Sequence, residues 1–170
     1  ETDLSFTQSG ASISWARLLI SPSPNVLREI QRVIWSSKTT LRVNLYLLSH
    51  QEVIKSLIQA SKRGVDVRVI LEKTVFQYAK VNRDTFEQLK KWGVSVAWAS
   101  ETEFNFNHAK YFISDTEWII STGNATKSSY GKNREFFIFG KEKQVHDELV
   151  SIFDADFEWK PLTEKIEKLS

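Results

Sequence analysis

The chain has 170 residues, 41% of them hydrophobic, which fits one domain with its own core. With 23 basic and 21 acidic residues, its formal charge is only +2, so any basic surface for nucleic acid must be local. The absence of cysteine excludes disulfides, thiolate catalysis and cysteine-based zinc sites. No run of about 18 apolar residues is present, so the sequence predicts no membrane span.

The two ends of the chain differ from its middle. Residues 1–12 are small and polar, which predicts a loose lead-in, and residues 161–170 form a charged tail. The chain opens on Glu1 and contains no Met, so we expect a processed form, or an excised piece of a longer protein with further domains. We expect one domain over residues 1–170, soluble and cytoplasmic, although no residue pattern specifies the compartment.

Apolar periodicity predicts alternating strands and helices along the chain. The predicted elements are a strand over 13–20, a helix from Asn25, a strand over 40–48, a helix capped by Ser49, a strand over 65–71, a helix over 84–92, a strand over 94–99, a hairpin over 108–124, a polar loop over 125–133, a strand over 135–139 and a helix over 141–159. This order predicts an α/β fold with a mixed, largely parallel β-sheet flanked by helices on both faces.

The stretch from His108 to Asn124 carries the groups needed for chemistry. His108 and Lys110 are separated by one residue, so on a strand both side chains leave from the same face. A turn at Asp115 leads into a second apolar run, which ends in the polar cluster 121–124. An imidazole, an amine, a hydroxyl and an amide therefore gather at one end of a hairpin. These groups can hold a phosphate and attack it.

The pattern resembles the signature of the phospholipase D superfamily, which is His-x-Lys, four residues, Asp, about six residues, then Gly-Ser-x-Asn. Five residues match that signature and the carboxylate that follows it in the nuclease branch, namely His108, Lys110, Asp115, Asn124 and Glu135. The gap after Asp115 is one residue short, and Ser121-Thr122 stand where the family has Gly-Ser. Thr122 keeps the hydroxyl that the family places there.

The resemblance implies a two-step displacement at a phosphodiester. Neutral His108 would attack phosphorus to give a phosphohistidine, while a second histidine protonates the leaving oxygen. The chain has one copy of the motif, so we expect a homodimer whose site straddles the interface and uses His108 of both subunits. If the natural protein is longer, the second half could lie beyond this chain instead. We expect no metal and no cofactor.

The resemblance also implies a role for each remaining motif residue. Lys110 would neutralise nonbridging phosphate oxygens, and Asn124 and Thr122 would donate further hydrogen bonds to the phosphate. Glu135 would accept a hydrogen bond from the catalytic imidazole and fix its tautomer. Asp115 lies at a hairpin turn, where we favour a structural role over a catalytic one.

Several other residues are candidates for substrate binding. Lys127, Lys132 and Arg134 form a basic cluster beside the motif, and Ser121 adds a hydroxyl. A solvated loop would have the same composition, and we weigh the two readings evenly. Five aromatic residues could stack bases or line a lipid groove, although packing is favoured for each of them: Phe76, Tyr78, Phe104, Phe106 and Tyr130. We interpret His50 as a residue at a helix start.

Three functions are consistent with these residues. The leading hypothesis is a metal-independent endonuclease acting on DNA, with RNA as the other nucleic acid. The second is a phospholipid phosphodiesterase, either a cardiolipin-type hydrolase or a phosphatidyltransferase, which an exposed apolar rim would favour. The third is a catalytically weak module that binds nucleic acid, which binding without turnover would reveal.

Overall fold

The computed structural model describes residues 16–158, so the predicted lead-in over 1–12 and the tail over 161–170 lie outside the described residues. The strands are β1 (Ala16–Ile20), β2 (Thr40–Leu45), β3 (Asp66–Leu71), β4 (Ser95–Trp98), β5 (Lys110–Ile113), β6 (Trp118–Ser121) and β7 (Phe136–Gly140). The helices are α1 (Pro24–Ser36), α2 (Gln51–Lys62), α3 (Ala79–Lys91), α4 (Lys127–Gly131) and α5 (Lys143–Phe157). The predicted order of strands and helices is confirmed, apart from α4.

The described strands form one sheet in the order β1-β7-β6-β5-β2-β3-β4. Only β2–β3 and β3–β4 are parallel pairs, and the other four pairs are antiparallel. The expected mixed α/β sheet is confirmed, but the expectation that it is largely parallel is wrong. Parallel neighbours require a long crossover, whereas the turn over 114–117 is too short for one.

Helices cover both faces of the sheet, as predicted. Alternation along β2 turns Val43 toward the face under α1 and α2, where Ile30 and Ile54 are fully buried in the main core. On the opposite face, Phe153 of α5 packs edge-on against Tyr111 of β5, with ring centroids 6.4 Å apart. Each such buried apolar side chain contributes about 1.5–3 kcal/mol to folding.

Two helix starts differ from the sequence-based expectation. Ser23, rather than Asn25, caps α1, because its hydroxyl accepts from the Asn25 N–H and Pro24 follows as the first helical residue. His50, rather than Ser49, occupies the cap position of α2 and makes no side-chain cap bond. The N–H groups of Ser49 and His50 both donate to the Ala125 carbonyl, so a tertiary contact sets this helix start.

Two helical segments were underestimated from sequence. The predicted polar loop over 125–133 contains α4, whose first turn forms because the Thr126 hydroxyl accepts from the Ser129 N–H. Helix α3 begins at Ala79, five residues earlier than expected. Its first turns lack an apolar stripe and are held instead by Asn82, a fully buried amide that bonds to three backbone groups.

Asp115 lies at the β5–β6 turn and fastens that turn to the start of β2. Its carboxylate accepts from the N–H groups of Lys38 at 2.5 Å and Thr40 at 2.7 Å, and from the Thr39 hydroxyl. Partial burial alone would raise the pKa of Asp115, but these hydrogen bonds outweigh it and hold the pKa at about 2. The carboxylate therefore has a structural function in this turn.

We expect Asp115→Ala to lower the free energy of unfolding by about 2 kcal/mol, because the N–H groups of Lys38 and Thr40 and the Thr39 hydroxyl lose a charged acceptor. The matched control is Asp84→Ala, which removes an exposed carboxylate that pairs with Lys80 one helical turn away. Urea denaturation at pH 7 should separate the two variants, and equal losses would contradict the structural role.

The loss of stability in Asp115→Ala should also depend on pH. The folded-state pKa of Asp115 is depressed from 3.8 to about 2, so the ionised carboxylate stabilises the fold above pH 4. That contribution is lost as the pH falls toward 2. The difference in stability between wild type and Asp115→Ala should therefore shrink between pH 4 and pH 2, as measured by urea midpoints at each pH.

Candidate active site

One edge of the sheet collects the polar residues of the motif. Antiparallel pairing sets the start of β5 beside the ends of β2 and β6, and the end of β6 beside the start of β7. The residues that flank these strand ends therefore converge, although they are far apart in sequence. Five predicted site residues lie at this edge: His108, Lys110, Thr122, Asn124 and Glu135.

His108 and Lys110 form the centre of this edge. The His108 side chain is exposed, whereas Lys110 is only 7% exposed. The Lys110 ammonium donates to the His108 carbonyl oxygen at 2.7 Å, and its Nζ lies 3.2 Å from His108 Nδ1. Tyr46 completes the group, since its ring centroid lies 4.7 Å from that of His108 and 5.5 Å from Lys110 Nζ. The amine is thus held under the imidazole.

The surroundings of His108 favour its neutral form. Partial loss of hydration lowers the pKa of His108, and the adjacent Lys110 charge lowers it further. Burial also lowers the pKa of Lys110, although the negative charge of Glu135 opposes this shift. A neutral imidazole keeps one ring nitrogen with a free lone pair, as a nucleophile requires.

Glu135 pairs with Thr122 rather than with the histidine. The Thr122 hydroxyl donates to Glu135 Oε2 at 2.6 Å and accepts from the Phe136 N–H at 3.0 Å. Within residues 16–158, no hydrogen bond joins Glu135 to His108, so the expected carboxylate–imidazole contact is not formed in the structure. The β6–β7 ladder sets Thr122 beside Glu135, because the Thr122 N–H bonds to the Phe136 carbonyl.

Asn124 is fixed by its neighbours but keeps a free polar atom. Ala125 donates to the Leu47 carbonyl, which ties this segment to the chain after β2. The side-chain oxygen of Asn124 is buried and has no hydrogen-bond partner among the described residues. Gly123 permits the turn, because a Cβ there would lie 2.9 Å from the ring of Phe137. A buried amide oxygen without a donor is costly, so its presence here favours a ligand that offers it an N–H or O–H group.

Two predicted site residues have structural contacts instead. Asp115 lies at the opposite end of β5 from His108, so the structure does not support a catalytic role for it. The Ser121 hydroxyl donates to the carbonyl oxygens of Lys110 and Gly123, which braces the hairpin end.

The predicted basic cluster is only partly at the site. Lys127 is exposed and lines a cavity of about 420 Å³ that Asn124 also lines. Lys132 and Arg134 are exposed as well, but neither lines that cavity.

A buried network behind the motif was missed from sequence. The Glu72 carboxylate, 4% exposed, accepts from the Asn107 N–H at 2.6 Å, and the Asn107 side chain donates to Asn44 Oδ1 at 2.7 Å. This network holds the residue that precedes His108. The only sequence signal was an acidic residue directly after the apolar strand that ends at Leu71.

The aromatic candidates divide into exposed and packed groups. Tyr130 is buried and packs against the core, as expected. Phe76, Tyr78 and Phe106 are 79%, 51% and 60% exposed, so the packing interpretation is wrong for these three. All three lie on loops that follow β3 or β4, on the side of the sheet where His108 lies.

Comparison with known proteins adds to this geometry. A family profile described as "Cardiolipin synthase, PLD-like domain" matches residues 30–157, well over half of the chain. The chain belongs to this phospholipase D-like family. The mitochondrial cardiolipin hydrolase of Danio rerio is 25% identical over 122 residues, which are 72% of this chain and 51% of that protein. The chain thus spans about half the length of this curated relative.

Two solved structures share the fold. The phospholipase D family member Nuc from Salmonella typhimurium superposes with a TM-score of 0.74 at 22% identity, over 84% of this chain and 93% of that one. NucT from Helicobacter pylori gives a TM-score of 0.70 at 15% identity, over 85% and 97% of the two chains. None of the helices within residues 16–158 has both the length and the apolar character needed to cross a bilayer.

Lys110→Met should raise the pKa of His108 toward its ordinary value of 6.5, because the repelling positive charge is removed. NMR titration of the histidine ring protons measures this shift. The matched control is Lys127→Met, since the Lys127 charge adds to burial in lowering the pKa of His50, whereas the charge that lowers the pKa of His108 is that of Lys110. Equal shifts of His108 in both variants would refute direct coupling to Lys110.

Proposed function

We propose that this domain is a metal-independent phosphodiesterase, and specifically an endonuclease on DNA that acts through a phosphohistidine. The observation that carries the proposal is the exposed His108 imidazole, whose pKa is lowered by partial burial and by the buried Lys110 ammonium, with Lys110 Nζ 3.2 Å from His108 Nδ1. A nucleophile and a cation for the phosphate charge thus stand side by side.

Substrate binding would activate the histidine by drawing Lys110 away from it. In the free protein, an ammonium that donates to Nδ1 leaves the imidazole proton on Nε2. A phosphate oxygen is a stronger acceptor than a neutral ring nitrogen, so Lys110 would turn to the phosphate. The proton would then move to Nδ1, and the Nε2 lone pair would attack phosphorus.

The reaction also needs a proton donor for the leaving oxygen, and we assign this role to His108 of the partner subunit. As His108 Nε2 bonds to phosphorus, the P–O bond to the leaving alcohol breaks, and the partner subunit's His108, in its imidazolium form, gives that oxygen a proton and becomes neutral. The same imidazole then takes a proton from water, whose oxygen attacks phosphorus and breaks the P–N bond. The N–H groups of the Asn124 amide would donate to the remaining phosphate oxygens, and the Thr122 hydroxyl would join them by turning its proton away from Glu135.

An exposed apolar strip supports the homodimer. Helix α5 covers β2 and β5 on its face of the sheet, which leaves β6, β7 and β1 uncovered among the described residues. Their outward side chains are 38–53% exposed and form the strip: Leu18, Ile20, Ile120, Phe136 and Ile138. The strip begins directly after Glu135, so a subunit seated on it would lie close to the candidate site.

A lipid phosphodiester is the second candidate substrate. The description of the family profile and the name of the Danio rerio relative both refer to cardiolipin chemistry, and they favour this candidate. The nucleic-acid reading is supported by Lys127 beside Asn124 and by the resemblance to the small endonuclease branch. A third possibility, a weakly catalytic binding module, is disfavoured because His108, Lys110 and Asn124 are all retained.

We expect the wild-type domain to cleave labelled DNA in excess EDTA at low salt, with a bell-shaped dependence of the rate on pH, because one His108 must be neutral and its mate protonated. His108→Ala should reduce this rate at least about 1,000-fold while circular dichroism stays unchanged. His146→Ala, on α5 against the Ser114 carbonyl, is the matched histidine control. Hydrolysis of cardiolipin vesicles without DNA cleavage would indicate a lipid substrate instead of DNA. A fully active His108→Ala variant would contradict the phosphohistidine mechanism.

The shared site can be tested by mixing subunits. Sedimentation should show a dimer at micromolar concentration, and Ile138→Glu in the apolar strip should yield monomer, whereas Trp35→Glu on α1, 52% exposed, should not. When wild type and His108→Ala are reassociated in equal amounts, about one quarter of the dimers carry both histidines. Activity near one quarter of that of an all-wild-type sample supports a shared site. Activity near one half indicates independent sites.

A further inference from the structure

The cavity of about 420 Å³ beside Asn124 has both aromatic and polar lining residues, and we call it the Tyr78 groove. Tyr78 and Val81, at the start of α3, contribute to its lining. Lys127, Ser128 and Asn133, in and after α4, contribute as well. The groove therefore combines an aromatic ring with an ammonium, a hydroxyl and an amide. Asn124, whose side-chain oxygen has no partner among the described residues, lines the groove as well.

The Tyr78 ring is exposed, but its backbone is firmly held. Gln77 adopts a φ of 61°, a left-handed conformation that is unusual for a residue other than glycine. The Tyr78 carbonyl accepts from the N–H groups of Val81 and Asn82. The fully buried Asn82 side chain then donates to the Tyr46 carbonyl at 2.8 Å. Because the Tyr46 ring contacts His108, these bonds fix Tyr78 relative to the candidate nucleophile.

We infer that the Tyr78 groove is a subsite for one unpaired nucleobase next to the scissile phosphate. The inference rests on the proposed function and adds a substrate class to it, single-stranded nucleic acid. A base inside a duplex has both faces covered by its neighbours, so only an unpaired base can stack on the Tyr78 ring. The Lys127 ammonium and the N–H groups of the Asn124 amide donate to the adjoining phosphate, and the Asn133 amide and the Ser128 hydroxyl bond to the edge of the base.

The chemistry of the groove favours a base over an acyl chain. An acyl chain would desolvate Lys127, Ser128 and Asn133 without offering them a hydrogen bond. A nucleobase offers these groups acceptors and donors at its edge, and its face matches the half-exposed Tyr78 ring. Phe76 lies on the same loop and is 79% exposed, but it is not among the residues that line the groove.

The test measures cleavage of single-stranded oligonucleotides that carry either an intact base or an abasic analogue beside the scissile phosphate. Tyr78→Ala should lower kcat/KM on the intact strand roughly 5- to 150-fold, the range expected for one lost stacking contact. Tyr78→Phe keeps the ring and should restore most of that loss. Phe76→Ala is the matched control and should behave as wild type.

The abasic strand isolates stacking from any general effect on folding. The abasic analogue should slow the wild type by a factor similar to that of Tyr78→Ala, and it should slow Tyr78→Ala no further. The inference is overturned if Tyr78→Ala cleaves the intact strand at the wild-type rate, or if the abasic analogue slows Tyr78→Ala as much as it slows wild type. The proposed endonuclease would stand in both cases. Duplex cleavage as fast as single-strand cleavage also overturns it.

A binding measurement separates this inference from the proposed function. Fluorescence anisotropy of a labelled single-stranded oligonucleotide is recorded with wild type and with Tyr78→Ala. Tyr78-dependent binding without any cleavage would refute the endonuclease and support the subsite. Absence of both binding and cleavage overturns both proposals, as does a Tyr78→Ala defect seen only in the hydrolysis of cardiolipin vesicles.

Discussion

The burial of the Lys110 ammonium is the constraint on which the site depends. A cation that is 7% exposed must find acceptors or it would be strongly unfavourable, and here it finds the His108 carbonyl, the His108 ring and the face of Tyr46. Each of these partners comes from a strand end at the same edge of the sheet. The contacts that satisfy this one charge therefore hold the His108 imidazole and the Tyr46 ring in place, and they depend on the register of β5 against β2.

The antiparallel half of the sheet makes this convergence possible. Because β5, β6 and β7 reverse direction at each step, residues before β5, after β6 and before β7 meet at one edge. Asp115 occupies the other edge, where it binds backbone N–H groups at the start of β2. The same hairpin thus carries a structural carboxylate at its turn and candidate catalytic groups at its open end.

Sequence predicted the local features of this arrangement because they depend on short-range rules. The alternation of His108 and Lys110, the turn at Asp115 and the helical stripes all follow from the periodicity of strands and helices. The sheet was expected to be largely parallel because alternating helices and strands dominate the first half of the chain. That pattern does not specify that β1 pairs with β7 as an outermost strand of the sheet.

The remaining differences arise from contacts between distant residues. Glu135 was expected to bond to the histidine, but the β6–β7 ladder sets it against Thr122 instead. The buried Glu72 that holds Asn107 has no local signature, and neither does Tyr46, whose role depends on lying beside β5. Helix α4 is short and polar, so its apolar periodicity is too brief to detect.

The Asn82 side chain links three backbone segments near the candidate site. Its amide binds backbone groups of Tyr46, Leu48 and Glu72, which lie beyond the carboxyl ends of β2 and β3. The start of α3 and the segments that carry the imidazole's neighbours thus form one cooperative unit. Local opening of that unit would disorder the Tyr78 groove and the wall behind His108 together, while the central sheet stays folded. Loss of function on heating would then precede loss of the fold.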